Sequence, residues 1–148
     1  MTALFRDATS ADLAAMLALY RHLSPADPVL EPEQVQPDFE QLIHSDIAHL
    51  LVAEVAGEVV ASCLLLIVPN LTRGGRPFGI IENVVTHADH RRRGLATRLL
   101  HSARDRAQAA NSYKIMLSTG RSDEGTLRFY EEAGFTRGGK TFFEMRWI

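Results

Sequence analysis

Residues 78–110 constrain the fold more tightly than any other part of the chain. Phe78–Thr86 is almost wholly apolar, interrupted only by Glu82-Asn83, and such a run suits a central strand whose two faces are both covered. After a polar turn, Gly94–Ala110 reads as a helix. Leu95, Leu99, Ala103 and Ala107 recur every four residues, with Ala96 and Leu100 beside them. A buried strand that turns directly into an amphipathic helix requires a sheet for the strand to join and for the helix to cover. The chain is therefore an α/β protein.

The flanking segments extend this frame. Leu4–Arg6 reads as a first strand. Thr9 or Ser10 can cap a helix that runs to about Leu23, with Asp12 favouring its positive end and Leu13, Met16, Leu17 and Tyr20 forming one apolar face. Pro25 and Pro28 end that helix, and a second one spans roughly Pro32 to Ser45. His49–Val55 and Glu58–Val68 form a hairpin across Ala56-Gly57, followed by a loop, Pro69–Pro77. Lys114–Ser118 is predicted as a strand, Glu124–Ala133 as a helix closed by Gly134, and Lys140–Trp147 as a final strand. The order β-α-α-β-β-β-α-β-α-β describes one domain over residues 1–148, without repeats or linkers.

Composition narrows the function. The 148 residues are 46% hydrophobic and 23% charged, enough for a real core without staples. A single cysteine, Cys63, excludes a disulfide framework and a multi-cysteine zinc site. The longest largely apolar run, Val59–Val68, is too short to span a bilayer, and Met1–Asp7 shows no secretory signal. A cytoplasmic protein without membrane association is the expectation. The net charge of −2 is unevenly spread: residues 1–81 carry ten acids against four arginines, residues 82–148 eight acids against twelve basic residues. The basic half suits a polyphosphate ligand and the acidic stretch Asp27–Glu58 a cationic one, although both also read as ordinary solvated faces.

Chemistry concentrates at Arg91-Arg92-Arg93-Gly94-Leu95-Ala96. A helix N-terminus offers free N–H groups and a positive dipole end to an anion. Gly94 and Ala96 allow close approach, and the arginines add charge-assisted donors. Nucleic acid is disfavoured, because the net charge is negative and no aromatic residue interleaves with the arginines. The familiar nucleotide loops are absent: there is no G-x-G-x-x-G, and the Gly120–Gly125 spacing leads to Thr126 rather than lysine.

The strand Ile80–Thr86 followed by Arg91-x-x-Gly94-x-Ala96 resembles motif A of the GNAT family of N-acetyltransferases. Tyr113–Leu117 followed by Leu127–Phe135 resembles its motif B. The resemblance covers residues 78–136 and implies a mixed, mostly antiparallel sheet splayed between its fourth and fifth strands and flanked by about four helices. It implies acetyl-CoA as donor: main-chain groups of Val84, Val85 and Thr86 would hold pantetheine, and the N–H groups of Arg91, Arg92, Arg93, Gly94, Leu95, Ala96 and Thr97 the pyrophosphate. A bulge in the fourth strand would present an N–H to the reacting carbonyl. The Glu82–Arg91 spacing and Phe129-Tyr130-Glu131 are also similar to the glucosamine-6-phosphate N-acetyltransferase branch, which has Glu-Asp where this chain has Glu82-Asn83. Asp123 and Thr126 stand where members often have Asn and Ala.

An amine must lose a proton before it attacks a thioester. Glu82, a lone carboxylate in an apolar strand, is the candidate base, its pKa expected to rise through burial; a salt-bridged strand residue is the alternative. Tyr130 occupies the family's position for the acid that reprotonates the thiolate, and otherwise reads as a packed aromatic. Cys63 reads as a core thiol, so direct transfer in a ternary complex is favoured over an acyl-enzyme. His87, Asp89 and His90 read as a turn rather than a metal site, and no metal is expected. His44 and His49 read as surface residues. Arg73 and Arg76 read either as solvated or as holding a substrate anion. The acceptor is expected to be a small-molecule amine, with a protein N-acetyltransferase or a non-catalytic CoA-binding module as alternatives; the oligomeric state stays open, with a homodimer among the readings.

Overall fold

A computed structural model describes residues 2–148. The strands are β1 (Ala3–Asp7), β2 (Ala48–Val55), β3 (Glu58–Val68), β4 (Phe78–Thr86) and β5 (Ile115–Met116). The helices are α1 (Leu13–Tyr20), α2 (Pro32–Ile43), α3 (Leu95–Ala109) and α4 (Glu124–Glu132). The sheet order is β1-β2-β3-β4-β5; the first four strands are antiparallel neighbours, and β5 joins β4 in parallel. A parallel pair needs a crossover, which α3 supplies.

Alternation along the strands divides the core in two. Leu51, Ala53, Cys63, Leu65 and Ile81 pack against Leu95, Leu99, Leu100 and Ala103 of α3, with Phe129 and Tyr130 of α4 at the edge of the cluster. On the other face, Leu50, Val52 and Val85 meet Leu13, Met16 and Leu19 of α1 and Phe39 of α2. The hairpin turns at Ala56 and Gly57, both at positive φ (51° and 82°), the twist a two-residue connection favours.

The β1 end is pinned by ions. Arg6 donates from Nη1 and Nη2 to the two carboxylate oxygens of Asp12 at 2.7 and 3.0 Å, and from Nε to Glu54 at 2.8 Å. The Arg6 hydrogen bonds, with a further one from the Thr9 backbone N–H, hold the Asp12 carboxyl below the usual carboxylate range against the opposing effect of burial. Asp12→Ala should cost about 2 kcal/mol, the scale of hydrogen bonds to a charged group, and lower the melting temperature by roughly 4–8 °C. Because the folded-state pKa is depressed, the contribution is complete above the unfolded carboxyl's pKa. It is lost as pH falls through the folded value. Wild type and variant should therefore melt further apart at neutral pH than in strong acid; equal separation at both would remove the ion pair from this role.

Three expectations need correction. α1 ends at Tyr20 rather than Leu23, because the chain tightens into i→i+3 bonds, His22 N–H to Leu19 and Leu23 N–H to Tyr20, ahead of Pro25. The fifth strand is Ile115–Met116 rather than Lys114–Ser118, since β4 and β5 diverge after two paired positions. Lys140–Trp147 forms no ladder. Its alternation is that of a strand, but it pairs with no strand of the described sheet.

Candidate functional site

The opening between β4 and β5 is built by two local features. At its apex, Gly79 pairs with Ile115 and Ile80 with Met116. A Cβ on Gly79 would lie 2.7 Å from the Ile115 side chain, so only glycine lets β5 approach this closely. Beyond the apex β4 bulges: Ser62 and Leu64 of β3 oppose Val85 and Glu82, two steps against three, with Asn83 at φ 53°. One extra residue reverses the alternation. Ile81 therefore faces α3, whereas Val85 faces α1. Val85 and Thr86 pair with β3 on one edge, and past Ile80 their other edge has no strand beside it.

Glu82 sits at the bulge but is exposed. The burial expected of it is not found, because the irregularity at Asn83 lifts this part of the strand out of its cover. Alternation from Ile81 turns Glu82 toward the face carrying α1 and α2.

Beyond Thr86 the chain makes one 3-10 turn, Ala88–His90, and enters α3 through Arg92 (φ 62°) and Gly94 (φ 75°). Arg91, Arg92, Arg93 and Gly94 are exposed, Leu95 is buried and anchors the helix, and Ala96 and Thr97 are half-buried. Open space surrounds the position a Cβ would take on Gly94, leaving the backbone accessible to a ligand. Arg91 donates from Nε to the Thr86 carbonyl at 3.2 Å, which ties the loop to the end of β4. Arg93 Nη1 lies 3.4 Å from His90 Nδ1. The rings of His22 and His87 lie 4.2 Å apart, tilted by 45°, and His87 Nδ1 accepts from the Asp89 N–H at 3.1 Å.

Tyr130 stands on the α3 face, half-buried, edge-on to Phe129 (5.0 Å) and Phe135 (6.4 Å). Burial raises its phenol pKa, so it keeps its proton at neutral pH. It lines a groove of about 610 Å³ between β5 and residues 133–137. At the start of α4, Asp123 accepts from the Thr126 N–H at 3.0 Å and its hydroxyl at 2.9 Å. The pair departing from the family's Asn and Ala thus caps the helix.

A second cavity, about 410 Å³, lies beside the bulge on the α1 side; Tyr20, Arg21, Ser24, Asp27 and Asn83 are among its lining residues. Burial pushes the Tyr20 phenol up to about 12. Sequence reasoning missed this group, because Tyr20 falls on the apolar stripe of α1 and reads as core. Arg21 donates to the carbonyls of Asp27 and Pro25, both at 2.6 Å, and so shapes the cavity wall.

Other candidates lie elsewhere. Arg76 donates to the carbonyls of Asn111 and Ser112 at 3.0 and 3.1 Å, and Arg73 stacks over Tyr113. Both sit at the start of β4, a strand's length from the arginine loop. Cys63 is fully buried, and burial pushes its thiol up to about 12, which denies it a nucleophile's role. No group of three or more His, Cys, Asp or Glu side chains among the described residues is arranged to hold a metal ion. No described helix is long and apolar enough to cross a membrane.

Comparison with known proteins agrees with this geometry. The chain is 32% identical to a glucosamine 6-phosphate N-acetyltransferase of Trypanosoma brucei brucei, over 84% of this chain and 82% of that protein. It is 33% identical to glucosamine 6-phosphate N-acetyltransferase 1 of Oryza sativa subsp. japonica, over 80% and 72%. A solved structure from Agrobacterium tumefaciens str. C58, assigned to the acetyltransferases, superposes with a TM-score of 0.94 at 41% identity, covering 97% of this chain and 99% of the other. Residues 16–135 match the acetyltransferase (GNAT) family, and with the splayed β4–β5 opening beside the Arg91–Thr97 loop, the chain belongs to that family.

Proposed function

We propose that this chain is an acetyl-CoA-dependent N-acetyltransferase that acylates a small-molecule primary amine by direct transfer in a ternary complex. The observation that carries this reading is the bulged β4, parted from β5 after two pairs and running into an accessible, glycine-bearing helix start. The residues fit the donor. Val84, Val85 and Thr86 have main-chain groups for an extended pantetheine arm, and the N–H groups of Arg91, Arg92, Arg93, Gly94, Leu95, Ala96 and Thr97 suit a pyrophosphate. When bound, acetyl-CoA supplies the activated acetyl group.

The chain's own groups handle the protons. Glu82 takes the amine's proton, directly or through water, from the α1 side. Tyr130 returns a proton to the leaving sulfur from the α3 side. The amine adds to the thioester carbonyl, and the tetrahedral adduct expels the CoA thiolate, which takes the Tyr130 proton.

The acceptor enters past the cavity beside Asn83. Arg21 there is engaged by backbone carbonyls, whereas Asp27 is exposed with no ion pair among the described residues. That lining favours a cationic amine. A second reading, glucosamine 6-phosphate, is favoured by the names of the relatives. An amine panel containing alkyl polyamines and glucosamine 6-phosphate, scored by free-thiol release, separates the two. The polyamine should be turned over faster at low substrate. Its rate should fall as salt rises, because steering by the acidic face is screened over a Debye length of about 8 Å at physiological ionic strength. Preference for the phosphorylated sugar would establish the second reading.

A further inference from the structure

We infer that the Tyr20 hydroxyl orients the reacting nitrogen of the acceptor by accepting one of its N–H bonds, which makes the site selective for primary over secondary amines. The inference rests on the transfer reaction proposed above and adds the residue that sets the direction of the nitrogen. It starts from a phenol without a partner. Tyr20 closes α1, and its carbonyl accepts from the N–H groups of Leu23 and Ser24 at 3.0 and 2.9 Å, which holds the backbone at the helix end. The ring packs against the cluster that includes Leu13, Met16 and Val85. The hydroxyl makes no hydrogen bond to a described residue, although buried tyrosine hydroxyls ordinarily find a partner. Ser112 Oγ is the one side-chain polar atom among the described residues that is sealed from solvent without a partner. The Tyr20 hydroxyl is therefore not sealed, and it opens into the cavity of about 410 Å³ that its residue lines.

The other groups of that cavity leave this task to the phenol. Arg21 carries only donors, and it spends two of them on the carbonyls of Asp27 and Pro25. Asp27 is exposed, which suits attraction of a cation at the mouth rather than the fixing of a nitrogen inside. Leu17, Pro28 and Leu30 give the cavity apolar walls, and Asn83 places it against the bulge, next to Glu82. Phenol and carboxylate thus share the α1 face of β4.

The chemistry needs a group of this kind. A neutral primary amine keeps two N–H bonds while its lone pair points at the thioester carbonyl. One faces the proton acceptor, Glu82 or a water before it, and the other requires a second acceptor. A phenol oxygen can accept. Burial holds the Tyr20 phenol protonated, with its pKa pushed up to about 12, so it directs the nitrogen without a negative charge that would keep it as ammonium. A secondary amine has one N–H and leaves the phenol unpaired, and a site built around a hydrogen bond rejects the analogue that lacks it.

The test compares 1,4-diaminobutane with its N,N′-dimethyl derivative; if the panel selects another amine, that amine and its N-methyl derivative form the pair. Wild type should favour the primary amine in kcat/KM. Tyr20→Phe keeps the ring and should lose on the order of 10-fold on the primary amine, the scale of one hydrogen bond, and little on the secondary one. Its melting temperature and KM for acetyl-CoA should not move. Tyr130→Phe should slow both amines by one factor, because proton return to sulfur does not depend on the substituents of the nitrogen. Calorimetry with CoA in place of acetyl-CoA, a mixture that cannot react, should show the primary amine binding more weakly to Tyr20→Phe. A Tyr20→Phe protein with wild-type selectivity and amine binding, or one whose selectivity narrows only through a gain on the secondary amine, overturns the inference and leaves the transferase in place. A wild type that acetylates no amine overturns the transferase reading itself, and this inference with it.

Discussion

Gly94→Glu should abolish measurable acetyl-CoA binding, weakening it by at least about 100-fold, while the protein stays folded. The substitution sets bulk and a negative charge at the helix N-terminus, where N–H groups and the dipole favour an anion. The residue is exposed and a Cβ placed on it meets no protein atom within 4 Å, which leaves the fold room for the substitution. Its φ of 75° does strain any L-residue, at about 1–2 kcal/mol. Gly94→Ala carries the same strain without the charge and is the control. Titration calorimetry on both variants separates the effects: Ala should lower the melting temperature and keep most of the affinity, Glu should lose the affinity as well. Equal affinity in a folded Gly94→Glu protein would move the phosphate site away from α3.

The second large effect concerns proton transfer. Glu82→Gln cannot accept a proton, and its turnover should fall ~10²–10⁴-fold at neutral pH, the usual range for a general base. The defect should shrink as rising pH supplies free amine from solution. Tyr130→Phe should lose a comparable factor, but uniformly at every pH below the pKa of the leaving thiol. Burial raises the phenol's pKa, so the wild-type hydroxyl stays protonated across that range. Both variants should bind acetyl-CoA almost normally. If the residues serve only packing, the variants will melt earlier and turn over at wild-type rates when folded; that outcome for Glu82→Gln would pass its role to a water relay or to the substrate.

Much of this was legible in the sequence where one element decides its own fate. The four-residue stripe from Leu95 to Ala107 implies a helix with one covered face, and those residues are buried against the sheet. Alternation across Ala56-Gly57 likewise implies the hairpin found there. The failures occur where a second segment decides. Glu82 reads as buried from its apolar neighbours, but the extra residue at Asn83 changes the strand's exposure. Arg76 reads as free until the turn after α3 comes within reach of its guanidinium. Tyr20 reads as core because nothing in the stripe of α1 reveals that a cavity adjoins it. Lys140–Trp147 reads as a strand from its own pattern, yet a strand exists only where it is paired, and this segment joins none of the five strands of the sheet.

Catalytic transfer from acetyl-CoA to an amine releases two products that a single assay can follow. Free thiol and acetylated amine are measured together in a mixture of protein, acetyl-CoA and each member of the amine panel. Both products should appear in equal amounts with at least one amine, at a rate proportional to protein, and no burst of thiol should precede addition of the amine, since Cys63 is buried and unsuited to carry an acyl group. Acetyl-CoA that raises the melting temperature, as any ligand of the folded state does, yet is consumed with none of the amines would contradict catalytic transfer and leave a CoA-binding module in place of an enzyme.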